Sequence, residues 1–286
     1  MATLTETNGR QTLTIQRRFM HSAEKLWSYV IDPAKLGQWY PAQIVAFEPA
    51  VGADIRFDYG DDFTTTGRVT ELAPGTRLAF AETSPEEMSR EGDNSITIEV
   101  QPDDGGSLLT FVHEFDDRPA AAAYAGGWDT CLEVLGDLLD GLPAREASPS
   151  IERYEDYVKE FGLDRPTIGN DTLRVERQLM LQSPAKVWRV LHPTTLEQLA
   201  PGRLGPGQIS NRADGEWVEI ELANGGSLRW EVQTGPGGAR IVLTHTGIGN
   251  QVDDLRIRWH DHIERLVQKV IAAPDEESGP EAAPGR

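Results

Sequence analysis

Few side chains in this sequence have the type and setting for chemistry, and His113 is the first of them. It lies in LLTFVHEF, where Leu109, Phe111, His113 and Phe115 share one parity. Successive strand residues point to opposite faces, so these four share the apolar face. His113 therefore points inward. There an imidazole orients a ligand, moves a proton, or sits tied to a backbone carbonyl. Burial disfavours the charged ring, so a neutral imidazole is expected at pH 7. His245, beside Ile241 and Leu243, repeats the arrangement. The other candidates are weaker. Cys131 sits in an apolar helical stripe with no His or Arg close in sequence, so no reactive thiol is expected. His260, Asp261 and His262 suggest metal ligands, but positions i and i+2 of a helix face apart. There is no phosphate loop, dinucleotide fingerprint, Gly-x-Ser-x-Gly elbow or zinc spacing. No catalytic residue, metal or cofactor is assigned. The acidic pairs Asp61-Asp62, Glu86-Glu87, Asp103-Asp104 and Asp116-Asp117 fall in turns and read as solvated surface.

The elements that must position these residues can be read from periodicity and turn signals. Leu13 to Phe19 alternates as a strand, and Ser22 is suited to cap a helix holding Leu26, Trp27 and Val30, with Pro33 near its end. Strands follow near 43–48, 53–59, 64–72, 76–83, 94–101 and 107–115, separated by turns such as Val51-Gly52, Pro74-Gly75 and Gly105-Gly106. A long helix runs from about Pro119 to Leu139 and stops at Gly141. Tyr124, Trp128, Cys131, Leu132, Leu135 and Leu139 form its apolar stripe. Gly126-Gly127 is expected to let that helix approach the sheet closely. The stretch from Met1 to Arg10 reads as a polar N-terminus without the apolar run of a signal peptide.

The chain repeats itself. LTIQRRFMHSAEKLW from Leu13 corresponds to LRVERQLMLQSPAKVW from Leu173, and DPAKLGQW to HPTTLEQL. Pro33, Leu36 and Gln38 match Pro193, Leu196 and Gln198. GGSLLTFVHEF matches GGARIVLTHTG, which sets His113 opposite His245, and each copy ends in a helix carrying a tryptophan, Trp128 or Trp259. The second copy has room for only about four strands between Leu199 and Thr246, near 207–212, 216–222, 227–234 and 239–246. The expected organisation is a complete domain over 1–145, a linker with a short helix over 146–170 and a truncated domain over 171–273. A disordered tail over 274–286, rich in Pro, Gly and Glu, follows.

Composition narrows the partners. The 286 residues carry a formal net charge of -19. Such a surface repels phosphate backbones and anionic headgroups, so neither nucleic acid nor membrane is an expected partner. No run is long enough to span a bilayer. One cysteine, which cannot form an internal disulfide, favours a cytoplasmic setting.

Several motifs occur in order: Arg18-Phe19, then S-x-E-K-x-W ending at Trp27, and D-P-x-x-L-x-x-W ending at Trp39. G-x-V-x-E-L-x-P-x-x-R-L-x-F from Gly67 to Phe80, T-x-V-H ending at His113, and Gly127-Trp128 follow. Together they resemble the SRPBCC (START/Bet v 1-like) superfamily, and within it the activator of Hsp90 ATPase homologue 1-like proteins. The resemblance covers residues 12 to 142 and, more weakly, 171 to 272. It implies an α+β helix-grip fold in two tandem copies, each a curved antiparallel sheet wrapped around a long C-terminal helix, with a cavity between. Trp39 becomes Leu199 in the second copy, and several other motifs are missing there.

The expected function is non-catalytic binding of a small hydrophobic or amphipathic molecule in the first domain. Trp39, Tyr40, Phe57, Tyr59, Phe80, Phe111, His113, Tyr124, Trp128 and Leu132 are the expected ligand-binding residues. Trp39 either contacts ligand at the cavity mouth or plugs the core. Trp128 serves as pocket wall, as core, or as both. The second copy would act as a scaffold or make a homodimer. Two alternatives stay open: a cyclase or isomerase using His113 as base with Tyr59 or Tyr124 assisting, and a protein-interaction module resembling a chaperone cofactor.

Overall fold

The computed structural model describes residues 2–60, 62–83, 94–145, 150–191, 199–201, 204, 207–223 and 225–275. Asp61, the pair Glu86-Glu87, linker residues Ser148 and Pro149, the repeat positions Pro193, Leu196 and Gln198, and tail residues 276–286 lie outside these. The chain divides into two compact units, Met1–Tyr157 and Val158–Arg286.

The first unit is an eight-stranded antiparallel sheet gripping one long helix. Its elements are β1 (Ala2–Thr7), β2 (Arg10–Phe19), α1 (Ala23–Ile31), α2 (Pro33–Leu36), β3 (Gln43–Phe47), β4 (Asp54–Asp58), β5 (Thr64–Ala73), β6 (Arg77–Glu82), β7 (Asn94–Asp103), β8 (Gly106–Phe115) and α3 (Ala121–Leu139). The strand order is β1-β2-β8-β7-β6-β5-β4-β3. The helix α4 (Ile151–Glu160) follows. Ser22 caps α1 by accepting from the Lys25 amide, as its position suggested. The C-terminal carbonyls of α3 are satisfied from α1: Lys25 donates to Leu139 O, and the Tyr29 hydroxyl donates to Leu138 O at 3.1 Å. Those bonds tie the start of the unit to its last helix.

The sequence reading is corrected at two points. The segment taken as a polar N-terminus is β1, paired with β2 along its whole length from Ala2↔Ile15 to Thr7↔Arg10. The turn between them is Asn8-Gly9, both at positive φ (54° and 82°), a tight hairpin turn that this dipeptide favours. Gly126 does admit a close neighbour, but not the sheet. A Cβ there would lie 2.5 Å from the Tyr154 ring of α4, while Gly127 meets nothing within 4 Å. The short helix of the linker thus packs on α3 at Gly126. Arg153–Glu133 at 2.8 Å and Tyr157–Asp129 at 2.5 Å hold it there.

The second unit repeats the plan with six strands. These are β9 (Thr167–Gly169), β10 (Thr172–Met180), β11 (Gly207–Ala213), β12 (Trp217–Leu222), β13 (Ser227–Gly235) and β14 (Gly238–Thr246), in the order β11-β12-β13-β14-β10-β9. The helix α5 (Pro184–Leu191) follows β10, and the long α6 (Val252–Ala272) ends the unit. Pairing Leu13 with His113 and Leu173 with His245 superposes the two sheets in register. β9 then stands for β1, β10 for β2, β14 for β8, β13 for β7, β12 for β6 and β11 for β5. Even a bulge recurs, between Val69 and Glu71 of β5 and between Ile209 and Asn211 of β11, which adds local twist to both sheets. Among the described residues β3 and β4 have no counterpart. No described helix is long and apolar enough to cross a membrane.

Candidate functional site

Three strands of the first unit and α3 converge on an aromatic cluster. Phe57 on β4 and Phe80 on β6 are fully buried, with ring centroids 5.7 Å apart. Gly67 on the intervening β5 leaves room for them: a Cβ there would meet Ala81 O and approach Phe57 Cε2 to 3.1 Å. From the other side α3 contributes Trp128, 4.4 Å from the Phe111 ring of β8. Tyr40 enters between these groups from the segment after α2. Its ring lies 5.6 Å from Phe57, 6.0 Å from Phe80 and 5.4 Å from Trp128. Leu132, one turn after Trp128, is buried as well. Trp39 is also buried, edge-on to Tyr40 with ring centroids 6.4 Å apart, and its Nε1 donates to Tyr29 O at 2.9 Å, locking the corner between α1 and α2.

The cluster has a polar end that sequence reasoning missed. Glu82 is 8% exposed and faces inward with Leu78 and Phe80. Its Oε1 accepts from the Tyr59 hydroxyl at 2.8 Å and from Thr65 Oγ1. The Tyr40 hydroxyl is within hydrogen-bonding reach of both Glu82 and Tyr59. Burial pushes the Glu82 carboxyl above the usual carboxylate range, against the lowering effect of the bonds from Thr65, Tyr59 and Tyr40. Burial likewise holds the Tyr40 hydroxyl well above its ordinary value, so it stays a neutral donor. Tyr59 itself does not stack on the wall. It sits just beyond β4, 37% exposed, in ring contact with the equally exposed Phe63 at 5.5 Å, and forms the rim. The signal for Glu82 was available: in RLAFAE it has the same parity as Leu78 and Phe80.

His113 faces α3 and is 3% exposed. It is tied to side chains rather than to a carbonyl. Trp128 Nε1 donates to its Nδ1 at 3.1 Å, and its Nε2 lies 3.0 Å from Asn94 Oδ1. An indole N–H only donates, so Nδ1 must accept and Nε2 must carry the proton. Burial accordingly pulls the ring's pKa down to about 3, with Arg10 adding to the effect. Tyr124 packs edge-on against His113, with ring centroids 4.6 Å apart. Both ring nitrogens are engaged, which leaves no lone pair free to take a substrate proton. Burial also raises Cys131 to about 12, as expected of an unreactive thiol.

The same bond recurs in the second unit, where Trp259 Nε1 donates to His245 Nδ1 at 3.0 Å. Nearby, the three residues that suggested metal ligands diverge as helical geometry requires. His260 bonds Asp164 at 3.1 Å and Asp261 at 3.2 Å, while His262 packs edge-on against Trp259. No group of three metal-ligating side chains is found among the described residues.

Residues 20–140 match the family model described as activator of Hsp90 ATPase homolog 1-like protein. The likeness is to that segment, which is less than half of the chain. No curated protein matches the chain. Among solved structures, protein MLL2253 from Mesorhizobium loti is 23% identical, with a TM-score of 0.42, and the match covers 46% of this chain and 97% of that one. CalU16 from Micromonospora echinospora is 14% identical with a TM-score of 0.44, over 57% and 94% of the two chains. DynU16, a protein of the dynemicin biosynthetic locus, is 15% identical with a TM-score of 0.44, and the match spans 91% of this chain and 97% of that one.

Proposed function

We propose that the first unit is a non-catalytic binding domain for a small hydrophobic or amphipathic molecule, held between its sheet and α3. The observation that carries this reading is the inward aromatic wall of Phe57, Phe80 and Trp128 ending in one buried carboxylate, Glu82. A wall that is apolar over most of its area, with a few converging polar groups, is the usual make-up of a ligand site. The state of His113 supports binding over catalysis, because a general base needs a free nitrogen within reach of the substrate proton. The second unit has a supporting role: among its described residues β3 and β4 have no counterpart, and we assign it scaffolding or self-association rather than ligand binding. The single cysteine and the acidic charge fit a cytoplasmic setting. Native mass spectrometry of protein purified from its own host is the direct test. A co-purifying small molecule, lost on Trp128→Ala while the second unit stays folded, is the expected result. Apo protein throughout, with no ligand-induced rise in melting temperature across a panel of apolar and amphipathic compounds, would remove the proposal.

A further inference from the structure

The first unit fills its own candidate site with a phenol. Tyr40 lies on neither the sheet nor α3. It reaches in from the connection between α2 and β3, is 6% exposed, and inserts its ring among Phe57, Phe80 and Trp128 with its hydroxyl toward Glu82. The second unit is an internal control. The register that equates Ile96 with Leu228 and Ile98 with Trp230 sets Glu82 against Leu222 and Phe80 against Ile220. The run Gln38-Trp39-Tyr40-Pro41 stands against Gln198-Leu199-Ala200-Pro201, so Tyr40 corresponds to Ala200. The tyrosine and its carboxylate are therefore lost together in the unit that keeps the tryptophan–histidine bond. The two groups thus vary as one unit, as partners at one site would.

We propose that Tyr40 is a stand-in for the ligand, and that the site takes a small aromatic molecule bearing a neutral hydroxyl, which displaces the Tyr40 side chain and donates to Glu82. This deepens the binding reading above and rests on it. Three features select that class. The space that the Tyr40 ring occupies is bounded by aromatic faces, which favour a flat ring. Every described partner of Glu82 is a neutral hydroxyl, from Tyr59, Thr65 and Tyr40, and no described cation pairs with it. A chain carrying a net charge of -19 disfavours anionic ligands. Exchanging one phenol for another also leaves no buried acceptor unpaired, the costly outcome in such a site.

Isothermal titration calorimetry with three probes on the full chain tests this: 2-naphthol, 2-methylnaphthalene and 2-naphthylmethylamine. The expected order puts 2-naphthol roughly tenfold or more tighter than 2-methylnaphthalene, the factor for a hydrogen bond to a charged or partly charged acceptor. Tyr40→Phe keeps the ring and removes the competing hydroxyl, so it should tighten 2-naphthol several-fold. Glu82→Gln should weaken 2-naphthol about tenfold and leave 2-methylnaphthalene unchanged. If Glu82→Gln does not melt cooperatively, the near-isosteric Tyr40→Phe decides the question alone. Equal affinity for 2-naphthol and 2-methylnaphthalene, both abolished by Trp128→Ala, would overturn the phenol inference and leave the binding function standing. Tightest binding of 2-naphthylmethylamine would overturn it in favour of a cation site. No heat with any probe, in wild type or Tyr40→Phe, would overturn the phenol inference, and the binding reading would then be decided by the co-purification test and the wider compound panel.

Discussion

The two units share a frame and differ in what the frame encloses. Each ties its last helix to its sheet by a tryptophan–histidine bond, Trp128 to His113 and Trp259 to His245. Each adds an arginine from its second strand to a carboxylate of that helix, Arg17 to Asp129 at 2.6 Å and Arg177 to Glu264 at 2.8 Å. These recurring contacts belong to the architecture. What does not recur is Tyr40, Phe57, Tyr59, Glu82 and Asn94. In the second unit the space is closed instead by Trp230, which is fully buried, lies 5.9 Å from Trp259 and donates to Leu199 O at 2.9 Å. The lesson is that burial and polarity alone do not mark a functional residue. His113 is among the most buried polar groups of the first unit, yet its setting is repeated where the site is absent. Glu82 is where the copies part.

The largest expected difference lies in the arginine ties. The Arg177 side chain is 1% exposed and that of Arg17 is 35%. Removing Glu264 strands a buried charge, which typically costs about 3–5 kcal/mol. Removing Asp129 exposes a half-solvated arginine and loses the Tyr157 bond, a cost of about 1–2 kcal/mol. Urea unfolding of Glu264→Ala and Asp129→Ala, with hydrogen exchange read separately on α6 and α3, measures both. Equal losses would mean that the burial of the arginine does not set the strength of the tie.

The two histidines should shape the acid limb of stability. Both rings are depressed by burial, His113 to about 3 and His245 to about 4, the latter partly opposed by Asp171. Unfolded histidine titrates near 6.5. Below pH 6.5 the unfolded chain therefore binds protons that the folded chain refuses, and stability falls as the pH drops. The slope is about 1.4 kcal/mol per pH unit for each ring, ending near pH 4 for His245 and near pH 3 for His113. Above pH 6.5 neither contributes. Comparing urea midpoints of wild type, His113→Leu and His245→Leu between pH 6.5 and 4.5 isolates the rings from the carboxylates common to all three. Each variant should lose about 1.4 kcal/mol per pH unit of slope in its own unit. An unchanged slope would show that the ring titrates while folded.

Much of the frame was legible in the sequence, because alternation along β2 to β8 and the Leu13/Leu173 and His113/His245 matches are local patterns. The strand β1 was missed although Asn8-Gly9 marks its turn, because in the threonine-rich TLTET only Leu4 is apolar. Gly126 was seen as a site of close approach, but its neighbour Tyr154 comes from 28 positions further on, and no periodicity encodes that meeting. The same limit applies to the site. Parity along RLAFAE would have turned Glu82 inward, but that three hydroxyls from the turn after β4, from β5 and from the α2–β3 connection meet on it depends on strand register. Register across three strands is set by turns and bulges, and a one-residue shift would have pointed Glu82 at solvent.

The smallest effect tests why the two histidines differ. Asn94 Oδ1 lies 3.0 Å from His113 Nε2, whereas His245 Nε2 is buried with no hydrogen-bond partner among the described residues. The register explains this, since Ile96 pairs with His113 and Leu228 with His245, which sets Asn94 against Gly226. The second unit lacks the acceptor because its strand offers no side chain there. Asn94→Ala should therefore give His113 the environment of His245, at a cost of about 1 kcal/mol for one lost hydrogen bond. The Trp128 bond fixes the same tautomer in the variant as in wild type, so indole Nε1 and imidazole Nε2 proton signals report on it directly by NMR. The expected spectrum keeps the Trp128 Nε1 shift and moves the His113 Nε2 proton toward the position of its His245 counterpart. Should Asn94→Ala instead shift the Trp128 signal or cost several kcal/mol, the tautomer would be held by Asn94, and the tryptophan–histidine bond would not be the common tie of the two units.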